Sequence, residues 1–206
     1  MVTKFSGGVK VNEQKRLFSE AGKEVDLVCQ NLTLGEANAL ACKIISLSDA
    51  HCSKIQVVGS MRRLRAVVKD VDFLVISSDE EWRKIGKELE LMLSAKLTMK
   101  GDKIKRFLVP FARGQVQADF YRATEKTWGI YELIRTGSAD HNIYLAKYAL
   151  KNDMQLKYSV GLVNLETEQV IASKTEEEVF KGLGLDYVNP VLREMYGSVP
   201  LWKKKQ

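Results

Sequence analysis

Long hydrophobic runs are missing from this 206-residue chain. No uninterrupted apolar stretch approaches the ~20 residues that a membrane-spanning helix needs. The N-terminal "MVTKFSGGVKVNEQKRLF" also lacks the apolar centre of a secretion signal. Cysteine is scarce and odd in number. Cys29, Cys42 and Cys52 have no zinc-type spacing, so they read as reduced thiols, and the expected setting is intracellular, in cytoplasm, nucleoid or nucleus. The only histidines, His51 and His141, have no metal-type partner at local spacing and are expected to cap or pack. Acidic charge is the minority sign: 32 Lys and Arg against 26 Asp and Glu leave a net charge of +6. That balance suits a polyanionic partner without requiring one. Hydrophobic residues make up 45% and charged residues 28%, a globular composition that excludes disorder.

Local signals outline mixed α+β structure. Residues 12–30 read as helix, and Thr33 with Glu36 forms a capping box for a second helix over "ANALACKIISL". "KIQVV" (54–58) is a short strand ending at Gly59-Ser60, and "VDFLVIS" (71–77) is a buried strand. Ser78 and Glu81 offer a capping box for a helix over about 79–95. "DKIKRFLVPF" and "GQVQADFYRA" read as two strands joined by a turn from Pro110 to Gly114. From Trp128 the pattern is helical, "TGS" interrupts it, and Ser138 caps a helix to about Asn152. A hairpin follows, and Thr175 with Glu178 caps a last short helix. The expected division is an N-terminal helical extension over 1–32, a mixed sheet-and-helix unit over 33–130 and a small α+β unit over 131–206. Trp82, Trp128 and Trp202 are expected in packing, and the tail "LWKKKQ" as a solvated end. With no extended apolar seam, a monomer is expected.

Chemistry concentrates in "VVGSMRRLRAVVKDVDFLVI". Residues two apart in a strand share a face, so Asp70 and Asp72 project together while Val71 and Phe73 turn to the core. Like charges this close shift each other's pKa unless a cation lies between them, and hard carboxylate oxygens suit Mg²⁺. Asp119 in "QVQADFY" lies on the face opposite Val116, Ala118 and Phe120, shared with Gln117 and Tyr121. If that strand pairs beside 71–77, three carboxylates converge. Ahead of them, Gly59-Ser60 closes a strand and opens a turn carrying Met61, Arg62 and Arg63. Backbone N–H groups, a hydroxyl and Arg63 there can hold phosphate. A phosphate cradle at a fixed distance before two carboxylates, with a third on a later strand, is the layout of two-metal phosphoryl transfer.

Val58-Gly59-Ser60, ten residues, then Asp70-Val71-Asp72 resembles the nucleotidyltransferase signature, and "GSMRR" is similar to the palm motif of family X DNA polymerases. Asp119 matches their third carboxylate. "RTGSADHNIYLAKYALKNDMQLKYSVGLVN" and "TEEEVFKGLGLDYVNPVLRE" resemble their C-terminal unit, so the likeness covers roughly residues 33–195. The resemblance is to the minimal, viral type without an N-terminal lyase domain, since residues 1–32 are too short for one; no deoxyribose-phosphate lyase activity is expected. It implies a nucleotidyltransferase-type palm followed by a small α+β nucleotide- and template-binding subdomain.

It further implies a DNA-directed polymerase, filling short gaps in repair with two Mg²⁺ ions (Mn²⁺ as substitute), acting on gapped or primer–template DNA with a dNTP. By the same resemblance, Asp70 and Asp72 bind both metals, and Asp119 binds the one that activates the primer 3′-hydroxyl. Gly59, Ser60 and Arg63 hold the β- and γ-phosphates. Thr136, Gly137 and Ser138 flank the incoming sugar, and Asn142 contacts the incoming base. Two departures stand out. Ile134 and Arg135 occupy positions where the family commonly has an aromatic pair against a ribose 2′-hydroxyl, leaving sugar discrimination open. Ala146 stands where the larger enzymes have a template-side arginine, from which low fidelity follows.

On the helix after Ser138, Tyr144, Lys147, Tyr148 and Lys151 form one stripe able to meet nucleic acid, with Ile143, Ala146, Ala149 and Leu150 as the apolar side. Lys100, Lys103 and Lys105 in "MKGDKIKR" are further candidates to steer DNA. Two competing readings share parts of this pattern: a template-independent nucleotidyltransferase acting on RNA ends or another acceptor, and a catalytically inactive DNA-binding module.

Overall fold

The computed structural model describes residues 31–112 and 114–194, with the backbone of two short strands further upstream. Those strands, β1 (Leu17–Phe18) and β2 (Glu24–Val25), pair antiparallel inside the stretch expected to be helical, so at these positions the helix expectation is corrected. The rest of residues 1–30 lies outside the described residues, as do Cys29 and Trp202.

The capping box at Thr33 forms as expected. Glu36 N donates to Thr33 Oγ1 (3.3 Å), and Thr33 N donates to Glu36 Oε2 (2.8 Å). After β3 (Leu32–Thr33), α1 runs over Leu34–Ser48 and turns Ala37, Leu40 and Ile44 inward. There follow β4 (Lys54–Val57), the single-turn α2 (Gly59–Arg62), β5 (Val67–Val68) and β6 (Asp70–Ile76). Next come α3 (Asp79–Lys84), α4 (Lys87–Leu93), β7 (Lys96–Lys100), β8 (Ile104–Phe111) and β9 (Gly114–Ala123). The C-terminal part holds α5 (Trp128–Thr136), α6 (Ala139–Lys151), β10 (Met154–Lys157), β11 (Gly161–Asn164), β12 (Val170–Ala172) and α7 (Glu176–Gly182). A 3₁₀ turn over Pro190–Glu194 ends the described chain.

Five strands form one mixed sheet in the order β4-β6-β9-β8-β7, with β6 and β9 parallel at its centre and the remaining neighbours antiparallel. Alternation places Val71, Phe73 and Val75 of β6 and Val116, Ala118 and Phe120 of β9 on one face, against α1 and α4. Phe73 stacks on Phe120 at 5.0 Å, and Phe107 meets Phe120 edge-on at 5.8 Å. On the opposite face Leu74, Tyr121 and Ala123 join a second core with Ile130, Leu133, Leu145, Leu162 and Phe180. The second core therefore draws on strands that precede residue 130. A three-stranded antiparallel sheet, β10-β11-β12, completes the C-terminal part. Among the described residues no helix is long and apolar enough to cross a membrane.

Four points depart from the sequence reading. The helix over 79–95 is two helices, broken at Ile85-Gly86, because Gly86 adopts φ +103° against the Phe107 ring. Glu81 does not complete a reciprocal box; its carboxylate instead accepts from His51 Nδ1 (2.5 Å) and Lys84 Nζ (2.8 Å). Residues 96–100 form an additional edge strand, invisible to apolar alternation because only Leu97 is even half-buried. On α6 the buried face is His141, Leu145 and Ala149, whereas Ile143 and Leu150, expected on the apolar side, are exposed.

A Cβ on Gly86 would lie 2.1 Å from the Phe107 Cζ, in a backbone conformation that side chains rarely adopt. Gly86→Ala is expected to destabilise the fold by about 2–3 kcal/mol, read as a lowered urea midpoint at unchanged slope.

Candidate active site

The parallel register sets Asp72 directly opposite Asp119, and Asp70 opposite Gln117. Opposed residues of neighbouring strands share a face, so the three aspartates lie together at the N-terminal end of β6, as expected. The apolar half of the same face, Leu74 and Ala123, begins just beyond them. Gly59 carries φ +65°, and a Cβ there would sit 2.0 Å from Asp72 Oδ2. The glycine is thus required by the carboxylate, which packs directly on the Gly-Ser turn. Val58 N also donates to Asp72 O (2.9 Å), fastening the turn to β6.

Burial, then the charges of Asp70 and Asp119, push the Asp72 carboxyl up to about 7. Burial and the Asp119 charge also raise Asp70. Asp119 itself is 1% exposed and saturated with donors. Arg106 Nε and Nη2 donate to its two oxygens, each at 2.8 Å, and Gln117 Nε2 (3.2 Å) and the Tyr121 hydroxyl (3.0 Å) add to Oδ2. The Tyr121 oxygen lies 3.3 Å from Asp72 Oδ1 as well. Its ring carries the Arg135 guanidinium at 3.8 Å, and Arg135 also reaches Tyr158.

Arg106 and Tyr121 were not anticipated as site residues. A two-residue loop at 112–113 would have placed Arg106 opposite Asp119, but the turn expected from Pro110 to Gly114 leaves that register undefined.

These groups fit divalent cations by donor chemistry: three clustered carboxylates, two of them raised by burial and mutual charge. They do not form a ready-made cage. Among the described residues no group of three His, Cys, Asp or Glu side chains is already arranged to hold a metal, and Arg106 holds the Asp119 carboxylate. Beside them the Ser60 Oγ is buried without a hydrogen-bond partner, a polar atom free to meet a ligand oxygen.

Other expected site residues are engaged in holding the fold. The Arg63 guanidinium bonds Glu194 and the Thr136 carbonyl, so its donors are already engaged by the C-terminal part. Thr136 Oγ1 accepts from Arg62 (2.8 Å). Ser138 caps α6, accepting from His141 N (3.3 Å), and donates to the Arg193 carbonyl (3.1 Å). Gly137 has φ +71° and abuts Arg63. Asn142 Nδ2 donates to Ile134 O (2.8 Å), leaving its Oδ1 buried without a partner.

Of the nucleic-acid candidates, Lys105 is corrected. It is buried, and its ammonium donates to the carbonyls of Trp82 and Ile85 at the end of α3. Burial, then the Lys100 charge, lowers its pKa to about 8. Lys103, Lys147 and Lys151 are exposed, while Tyr144 and Tyr148 stack on each other and pack against the second core. His141 packs in the same core, where burial and then the Arg193 charge hold it neutral, its pKa lowered to about 4.

Comparison with known proteins adds two findings. Residues 133–194 match the DNA polymerase beta thumb family. Over 193 residues, 92% of the chain, the sequence is 29% identical to "DNA polymerase/3′-5′ exonuclease PolX" of Bacillus subtilis (strain 168). The chain spans about a third of that relative's length, 33%.

An unfolded chain ionises Asp72 near 3.8, whereas the folded chain holds the proton to about 7, so stability is lost as pH rises through that interval. In EDTA, Asp72→Asn is expected to raise stability at pH 8 by about 1–3 kcal/mol, and the gain to vanish toward pH 4. Thermal melts of both proteins across that range check it.

Proposed function

We propose, on the match of residues 133–194 to the DNA polymerase beta thumb family and the 29% identity to a PolX protein, that this chain is a DNA-directed DNA polymerase of family X type. It extends a primer 3′-hydroxyl with a dNTP on gapped or primer–template DNA, and its use is short-gap filling. The carrying observation is Asp72 opposite Asp119 on parallel strands, with the Gly59-Ser60 turn packed against the Asp72 carboxylate.

Asp70 and Asp72 would hold two Mg²⁺ ions, with Asp119 sharing only the one beside the primer. Bound there, the ions supply charge neutralisation at the phosphates and lower the pKa of the primer hydroxyl. The chain's own part is geometric and electrostatic. Ser60 presents its buried hydroxyl and the neighbouring backbone to the triphosphate. Tyr121, kept protonated by burial and by the charges of Asp72 and Asp119, remains a hydrogen-bond donor between those carboxylates. Asn142 meets the incoming base from the start of α6. Lys103, Lys147 and Lys151 offer exposed positive charge to the DNA backbone. Positioning of this kind supplies much of the rate in phosphoryl transfer, without a protein general base.

Single-nucleotide extension with Mg²⁺ tests the proposal, comparing a gapped duplex with the same primer unpaired and offering each dNTP and NTP separately. Template-following extension on the gapped duplex is expected, reduced at least ~10²-fold in Asp119→Ala. Equal extension without template would move the reaction to template-independent nucleotidyl transfer. No incorporation on either substrate would leave a DNA-binding module.

A further inference from the structure

The three arginines after Ser60 all end on carboxylates of the C-terminal part. Arg62 pairs with Glu176 (2.8 Å) and Glu132 (3.0 Å). Arg63 pairs with Glu194, and Arg65 with the same Glu194 (3.1 Å). The two carboxylates differ in setting. Glu176 is 1% exposed and ringed by donors: Arg62, Arg193 Nη1 (2.8 Å) and the Tyr187 hydroxyl (3.2 Å). Glu194 sits at the end of the 3₁₀ turn, and among the described residues it pairs with Arg63 and Arg65. With those two arginines it lines an open cavity of about 490 Å³, together with Val67 and Val191. The first carboxylate is part of the core; the second lies where solvent and solutes arrive.

Arg63 is also held from behind. It donates to the Thr136 carbonyl, and a Cβ on Gly137 would lie 3.2 Å from its Nη1. The guanidinium therefore has a fixed seat one turn from the unpartnered Ser60 hydroxyl, with one anionic partner that can leave. A carboxylate brings one negative charge and two oxygens. A triphosphate brings several charges and more oxygens to the same donors.

We propose that Glu194 is a built-in competitor for the triphosphate. It occupies Arg63 and Arg65 until nucleotide arrives and is displaced when the phosphates take its place. This rests on the reading of Ser60 and Arg63 as the phosphate seat. It makes nucleotide entry and release of the C-terminal turn a single exchange, in which differential affinity of Arg63 for the two anions sets the apparent nucleotide affinity.

The test is calorimetric binding of inorganic tripolyphosphate in EDTA, without metal or DNA, to the full chain and its variants. Removing the competing charge in Glu194→Gln is expected to tighten binding by about threefold to tenfold. Glu194→Asp, which keeps the charge, should bind within about twofold of the parent. The gain should disappear in Arg63→Ala/Glu194→Gln, and thermal melts confirm that each variant folds. Unchanged or weaker binding by Glu194→Gln overturns the proposal, weaker binding meaning that Glu194 orients Arg63 for the phosphate. If Arg63→Ala weakens binding while Glu194→Gln does not tighten it, the phosphate seat stands and only the competition fails. If neither the parent nor Glu194→Gln binds tripolyphosphate, both readings fall.

Discussion

Residues opposed across a parallel strand pair project to the same face, and in β6 and β9 that places Asp72 beside Asp119 with Asp70 next to them. Their mutual repulsion is the constraint around which the site is built. Left alone, it would favour strands that slip or carboxyls that neutralise. Here the sheet cannot slip, because a shift of one residue would turn Phe73 and Phe120 out of the core they share. The charge is instead absorbed locally. Arg106 grips Asp119 with two hydrogen bonds, Tyr121 spans Asp119 and Asp72, and Asp72 is left as a group that ionises only near neutral pH.

The same acidic face ties the sheet to the C-terminal part. Tyr121 carries Arg135 on its ring, and Arg135 reaches Tyr158 in the β10–β11 turn. From the other side Arg62 enters the Glu132 and Glu176 pair, and Arg193 closes on Glu176 from within the core. Burial alone would raise the Glu176 carboxyl, but hydrogen bonds from Arg62 and Arg193 outweigh it and hold it below its ordinary range. That buried triad is committed to structure. The outer contacts of Arg63 and Arg65 with Glu194 join the same surfaces through a group that water reaches. The basic segment after Ser60 thus divides its arginines between a fixed joint and an exchangeable one.

Much of this was legible in the residues. Alternation identified β6 and β9 with their correct inward faces, and hydroxyl caps at Thr33, Ser78, Ser138 and Thr175 marked four helix starts that the structure keeps. These signals are local, and local physics decides them. Several of the misses depend on partners distant in sequence. Gly86 breaks a helix because the Phe107 ring lies against it. Lys105 is buried because three carbonyls around the end of α3 receive its ammonium, which no lysine-rich pattern reveals. Arg106 faces Asp119 only once the hairpin register is known. Arg63 was expected to hold phosphates beside Ser60; its pairing with Glu194, which joins residues 131 positions apart, was not legible in the sequence.

If Asp70, Asp72 and Asp119 form the cation site proposed above, a divalent ion bound there relieves their mutual repulsion. Titration of Mn²⁺ followed by electron paramagnetic resonance reads this without DNA or turnover. Stoichiometric binding at neutral pH that raises the melting temperature, and is lost in Asp72→Asn, is the predicted result. Equal Mn²⁺ binding by the parent and Asp72→Asn would contradict it, assigning the carboxylate cluster a structural role satisfied by Arg106 and Tyr121 alone.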